Sequence, residues 1–96
     1  MKKIPLKEKD IERYLVNEVK KIKGIAYKFT SPGRRSVPDR ILLIHKHPAL
    51  FVECKRPGGR LTPNQKREIE RIKLKGFTVY VVDSIQSVDN LIEQLS

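Results

Sequence analysis

The sequence predicts a small α/β fold: one mixed β-sheet flanked by helices, in the order α-β-β-β-α-β-α. Three observations lead to it. Apolar residues recur at helical spacing near the N-terminus, and three short β-forming runs follow. A capped helix then separates the third run from a fourth. A strand–helix–strand unit crosses over right-handedly and pairs its strands in parallel. The earlier runs, joined by short connections, pair antiparallel. The length fits one domain over residues 1–96, able to bury roughly 60–70% of the surface its unfolded chain exposes.

Met1 to Lys7 is basic and reads as loose. Residues from about Leu6 to Lys23 form the first expected helix, because Ile11, Leu15, Val19 and Ile22 share a face. Gly24 is its expected stop. Glu12 borders that stripe beside Leu15, Val16 and Val19. Glu8 has a similar position one turn earlier, and Glu18 lies at the other edge. Ile25 to Thr30 alternates, with Ile25, Tyr27 and Phe29 on one face and Lys28 on the other. Ser31 to Ser36 is a turn-rich loop carrying Arg34 and Arg35.

Val37 to Ile44 and Leu50 to Lys55 are the next two strands, turning around His45 to Pro48. Both histidines sit at the far end of that hairpin from Asp39, which argues against a histidine metal pair. Arg56 to Arg60 is a basic, glycine-rich loop. Thr62 is the expected N-cap of the next helix, with Pro63 first and Gln65 completing a capping box. That helix runs to about Lys75 and stops at Gly76. Gln65, Ile69 and Ile72 share its sheet-facing side. Phe77 to Val82 is the fourth strand, and Ser84 or Ser87 starts a last helix through Leu95.

Lys and Arg number 21 against 11 Asp and Glu, a net charge of +10, and such a field favours polyanionic partners. A single cysteine, Cys54, excludes an internal disulfide and a Cys-rich zinc site. No apolar run approaches ~20 residues, and no apolar signal core opens the chain. The sequence thus predicts a soluble, cytoplasmic protein with no membrane partner. It contains no repeat, low-complexity segment or linker.

The chemistry gathers at the hairpin. Thirteen residues lie between Asp39 and Glu53, enough for a strand, a turn and a return strand that folds the two together. Alternation puts Glu53 and Lys55 on one face and Cys54 on the other. Two carboxylates and an ammonium at one point suit a hard divalent cation such as Mg²⁺, which prefers one or two carboxylates plus water and phosphate oxygens. Cys54 would lend its backbone carbonyl. Lys55 would stand by the attacking water and the phosphate. Glu12 would tether a metal water or a second ion. Gln65 would either cap its helix or orient water or phosphate. Arg34 and Arg35 suit contact with nucleic-acid phosphates, within a candidate nucleic-acid-binding surface that includes Lys28, Ser31, Arg56 and Arg60.

Pro38-Asp39 followed by Glu53-Cys54-Lys55 resembles the PD-(D/E)xK nuclease motif. The stretches Phe29 to Arg40, Phe51 to Gly59, Leu61 to Lys66 and Val79 to Asp83 narrow the likeness. They resemble the VRR-NUC family, the virus-type replication-repair nucleases, over about residues 8 to 84. Cys54 fills the variable position of the motif.

The resemblance implies a restriction-endonuclease-like core, dependence on Mg²⁺ or Mn²⁺ and cleavage of DNA phosphodiesters. It implies that Asp39, Glu53, Lys55 and Gln65 are active-site residues. The first-helix acid is then Glu12, from its helical position and a short Ile11-Glu12 match. Compact stand-alone members occur in phages and resemble Holliday-junction resolvases. That implies a homodimer acting on branched DNA in a bacterial or phage-infected host cell. The expected dimer contact is the Tyr80-bearing strand and the apolar last helix. The alternatives are a flap or single-strand nicking nuclease, a toxin or RNase using the same site, or a non-catalytic basic nucleic-acid-binding protein. The last leaves the carboxylates unexplained, since they repel phosphate unless a cation intervenes.

Overall fold

The computed structural model describes residues 5–96. The loose basic start expected from the sequence falls partly on residues 1–4, outside the described residues. The element order is the expected one: α1 (Glu8–Lys21), β1 (Ile25–Lys28), β2 (Arg40–Leu43), β3 (Leu50–Cys54), α2 (Pro63–Leu74), β4 (Val79–Val82) and α3 (Ile85–Leu95). The sheet runs β1-β2-β3-β4. The first two pairings are antiparallel, and β3 pairs with β4 in parallel through the α2 crossover.

One face of the sheet holds the core. Ile11, Leu15 and Val19 of α1 are buried there with Leu42, Val52 and Cys54 of the strands and Val88, Leu91 and Leu95 of α3. The expected stripe on α1 is thus its buried face. Asp10 accepts a hydrogen bond from the Lys7 N–H at 2.8 Å and holds the start of α1. The Tyr14 hydroxyl donates to Asp89 at 2.6 Å and ties α1 to α3. That bond and the adjacent charge push the phenol up to about 12.

The helix ends differ in their reasons. After α1 it is Lys23, not Gly24, that takes the left-handed conformation, at φ 62. Gly24 is required by close approach instead: a Cβ there would lie 2.4 Å from Ile44 Cδ1 and 2.9 Å from Val19 Cγ1. After α2, Gly76 does take positive φ, at 91. Its N–H donates to Lys73 O and the Phe77 N–H to Ile72 O, a Schellman ending. At α3 the cap is Ser84, which exchanges hydrogen bonds with Ser87.

The strands are shorter than expected. β1 stops at Lys28, although the Phe29 N–H still donates to Asp39 O at 2.9 Å. β4 starts at Val79, leaving Phe77 exposed. On the outer face of the sheet, α2 packs against β4, burying Ile69 and Val79. Over β1 and β2 that face is open, and Ile25, Tyr27 and Leu43 are exposed. The apolar residues expected to join two copies are used within the chain. Val88, Leu91 and Leu95 pack inward, and the Tyr80 hydroxyl donates to Gln94 at 3.2 Å. No helix among the described residues is long and apolar enough to cross a membrane.

Candidate active site

The β2–β3 ladder pairs Arg40 with Val52. Asp39 is therefore one step beyond, opposite Glu53. Pro38 is fully buried and anchors the approach to β2, its fixed φ stiffening the turn. Asp39 Oδ2 accepts the Cys54 N–H at 2.7 Å, which locks the first carboxylate to the end of β3.

Glu53 is only 2% exposed, and its Oε2 has no hydrogen-bond partner. Burial raises its pKa most, and hydrogen bonding to Asp39 and the Asp39 charge add to that. Lys55 pulls the other way, and the carboxyl ends at about 9. Such a pair needs either a proton or a cation between its oxygens. Hard oxygen donors with one buried oxygen left over fit a divalent cation. No three His, Cys, Asp or Glu side chains gather as a metal cage among the described residues. A site with few protein donors is the kind Mg²⁺ takes, completed by water and phosphate.

Cys54 turns its thiol into the core, where burial chiefly raises its pKa. Its N–H serves Asp39, so the side chain has no part in the site. The Lys55 N–H donates to Val82 O at 2.9 Å, joining the end of β3 to β4. The Lys55 ammonium is 3.8 Å from Glu8 Oε1.

Glu12, the acid expected here, is held elsewhere. Its Oε2 accepts from Lys28 Nζ at 2.9 Å and from Arg40 Nε at 2.8 Å. Arg40 also donates to Ala26 O at 3.1 Å, so Glu12 fastens α1 to the β1–β2 end of the sheet. Of the first-helix acids, Glu8 is the one whose charge acts on Glu53.

Gln65 completes the expected capping box. Its Oε1 accepts the Thr62 N–H at 2.9 Å, and Thr62 Oγ1 accepts the Gln65 N–H at 3.1 Å. The oxygen is thus engaged by the cap, which uses none of the side-chain amide donors.

The basic residues divide into three groups. Lys28 is paired with Glu12. Arg56 and Arg60 are exposed beside the Gly58–Gly59 turn, which the Gly59 N–H closes onto Arg56 O at 2.8 Å. Ser31 O accepts the Arg34 N–H at 3.3 Å, and that loop lies against α2. Arg34 Nη1 reaches Glu68 Oε2 at 3.3 Å, and Arg71 Nε stands 3.8 Å from the same oxygen. A cleft of about 450 Å³ opens between them, lined by Arg34, Arg35, Arg67, Glu68 and Arg71. A slightly larger hollow of about 510 Å³ beside Tyr14 and Glu18 contains neither carboxylate of the pair.

Arg67, Glu68 and Arg71 do not stand out in the sequence. Their signal there is two arginines four apart, with an acid three before the second. It is indistinguishable from an ordinary solvated helix face until the loop is folded onto it.

Residues 7–86 match the family model described as the VRR-NUC domain. A protein named "Putative nuclease p44", from Acyrthosiphon pisum secondary endosymbiont phage 1, is 53% identical over 79 residues, 82% of this chain and 85% of that one. A solved structure of a VRR-NUC domain superposes with a TM-score of 0.84 at 31% identity, covering 93% of this chain and 97% of its own. A second solved VRR-NUC domain protein gives 0.78 at 24% identity over 96% and 89%, a likeness of fold.

Proposed function

The chain belongs to the VRR-NUC nuclease family, and on that premise we propose that residues 1–96 form one metal-dependent, structure-selective DNA endonuclease domain. It hydrolyses phosphodiester bonds and resolves four-way junctions as a homodimer. The observation that carries the reading is the Asp39–Glu53 pair, with a buried, unpartnered Glu53 oxygen and Lys55 two residues on.

Asp39 and Glu53 would hold Mg²⁺ or Mn²⁺, with the Cys54 carbonyl as a third donor. The cation supplies Lewis-acid charge and a water of lowered pKa. The Lys55 ammonium stabilises charge on the phosphate oxygens as the bond breaks. Glu8, beside Lys55, orients that ammonium. Glu12 keeps Arg40 and Lys28 in place next to Asp39 and positions the carboxylate without touching substrate. Gln65 uses its cap to fix the side chain and its amide donors to bind phosphate or water. Arg35, Arg56 and Arg60 extend the basic surface on which DNA lies.

Resolution of a junction requires two cuts, hence two copies of so small a site. The open apolar half of the sheet around Ile25, Tyr27 and Leu43 supports contact there instead of at α3. The phage source of the p44 relative supports work in the cytoplasm of a bacterial host.

Purified protein incubated with four-way junction, flap, splayed and linear DNA, with Mg²⁺, Mn²⁺ or EDTA, tests the reading. Paired cuts in the junction, absent with EDTA, are expected. Faster cutting of flaps would remove the junction assignment, and cutting in EDTA would remove the metal.

A further inference from the structure

We infer that the cleft between the Ser31–Ser36 loop and α2 is a built binding site for a DNA backbone phosphodiester, with Glu68 as its positioning residue. The inference deepens the nuclease reading and rests on it only for the identity of the polyanion.

The side chain of Glu68 is 12% exposed, unusual for an acid in the middle of a surface helix. It is held by Arg34 from the loop and Arg71 from the next helical turn, both on its Oε2. Those arginines are about half exposed. Each guanidinium has five N–H donors in a fixed fork, and the contact with Glu68 uses only part of each fork on residues that line the cleft. Arg67 is oriented in its turn by a hydrogen bond to Asn64 Oδ1. Arg35 completes the lining.

Four guanidinium charges against one carboxylate leave the cleft strongly positive. The carboxylate lines the cleft with the arginines, is largely buried among them and works as their anchor. Planar forks pre-set in this way suit the paired oxygens of a phosphodiester better than mobile ammonium groups would. The loop runs directly into Pro38-Asp39, and Gln65 belongs to the same first turn of α2 as Asn64. A phosphate in the cleft would therefore fix the strand whose scissile bond reaches the carboxylate pair.

Two alternatives predict opposite signs. A diffuse basic patch depends on charge alone, so Arg→Lys would be silent and loss of an acid would tighten DNA binding. A built site depends on fork geometry. Binding of a labelled duplex is measured by anisotropy across a salt series, in EDTA so that no cleavage is needed. Arg34→Lys, Arg67→Lys and Arg71→Lys are each expected to weaken binding roughly three- to tenfold, as for a charge-assisted hydrogen bond discounted for exposure. Arg67→Ala/Arg71→Ala together should flatten the salt slope by about 0.9 for each phosphate no longer neutralised.

Glu68→Gln is the sharpest test. Binding should weaken although a negative charge is removed, while Glu70→Gln on the exposed side of α2 should tighten it slightly. Thermal melts identify any variant that fails to fold, and the lysine variants decide if Glu68→Gln does. Unchanged affinity in all three lysine variants, or tighter binding by folded Glu68→Gln, overturns the inference. Replacing sodium chloride by sodium phosphate at matched ionic strength should displace DNA from the wild type more strongly than chloride does, and lose that advantage in Arg67→Ala/Arg71→Ala. Equal displacement by the two salts would mark a diffuse basic patch and overturn the inference. All these readouts are independent of cleavage, so a protein that binds as expected yet cuts nothing would refute only the nuclease reading.

Discussion

Glu8 and Glu12, one turn apart on α1, serve different neighbours: Glu8 Oε1 lies 3.8 Å from the Lys55 ammonium, whereas Glu12 Oε2 is held by Lys28 and Arg40 at 2.9 and 2.8 Å. On the proposed reading, Glu8 acts near the chemistry and Glu12 holds the scaffold. Glu12→Gln should cost about 1–2 kcal/mol of stability, discounting the exposed Lys28 half of its interactions. Glu8→Gln should change stability by less than about 0.5 kcal/mol but lower turnover. Melting curves and single-turnover rates of both variants check this; equal turnover in Glu8→Gln and wild type would take Glu8 out of the site.

Asp39→Asn should leave no measurable cleavage with Mg²⁺ while DNA binding persists or improves. The amide oxygen can still accept the Cys54 N–H that Asp39 Oδ2 takes at 2.7 Å, so the end of the hairpin should hold. Cleavage at the wild-type rate would exclude Asp39 as a metal ligand.

The raised pKa of Glu53 makes the stability of the metal-free protein fall with pH. The folded state keeps the proton up to about 9, whereas the unfolded chain releases it near the ordinary glutamate value. Between those two points the native state binds more protons, so raising pH favours unfolding, by at most about 1.4 kcal/mol per pH unit for one proton. Denaturant titrations in EDTA at pH 6 and pH 8.5 should show the loss, and Glu53→Gln should abolish it. The same slope in that variant would mean that another group titrates.

Gln65→Glu distinguishes cap from chemistry more cleanly than truncation. Glutamate at the third helical position still supports a capping box, so the bonds with Thr62 survive. What disappears is the amide donor. Stability should remain within about 0.5 kcal/mol while turnover drops. Undiminished turnover in a folded variant would reduce Gln65 to a cap.

The element order, the β3–β4 crossover and the Thr62 and Gly76 signals are legible in the sequence, because each depends on neighbours a few residues away. The Asp39–Glu53 meeting is legible too, since hairpin length and strand alternation settle it. The choice between Glu8 and Glu12 is not. Both border the buried stripe, and only the position of α1 along the strands decides which acid meets Lys55. Alternation puts Ile25 and Tyr27 together on one face, but whether a helix covers that face depends on where α2 packs. The burial of Glu68 is likewise set by a loop distant in sequence. Gly24 follows α1 for a reason other than the expected one: its lack of a side chain makes room for Ile44, while Lys23 makes the turn.

The turn through His45 to Pro48 sits at the end of the β2–β3 hairpin opposite Asp39 and Glu53, and all four of its residues are exposed. Lengthening an exposed connection costs only slowly growing loop-closure entropy. An insertion there leaves the Arg40–Val52 and Ile41–Phe51 pairings where they are. Tolerance of added length and the carboxylate pair therefore sit at opposite ends of one hairpin. A fluorophore or affinity tag can be spliced into this turn without the two carboxyls shifting register.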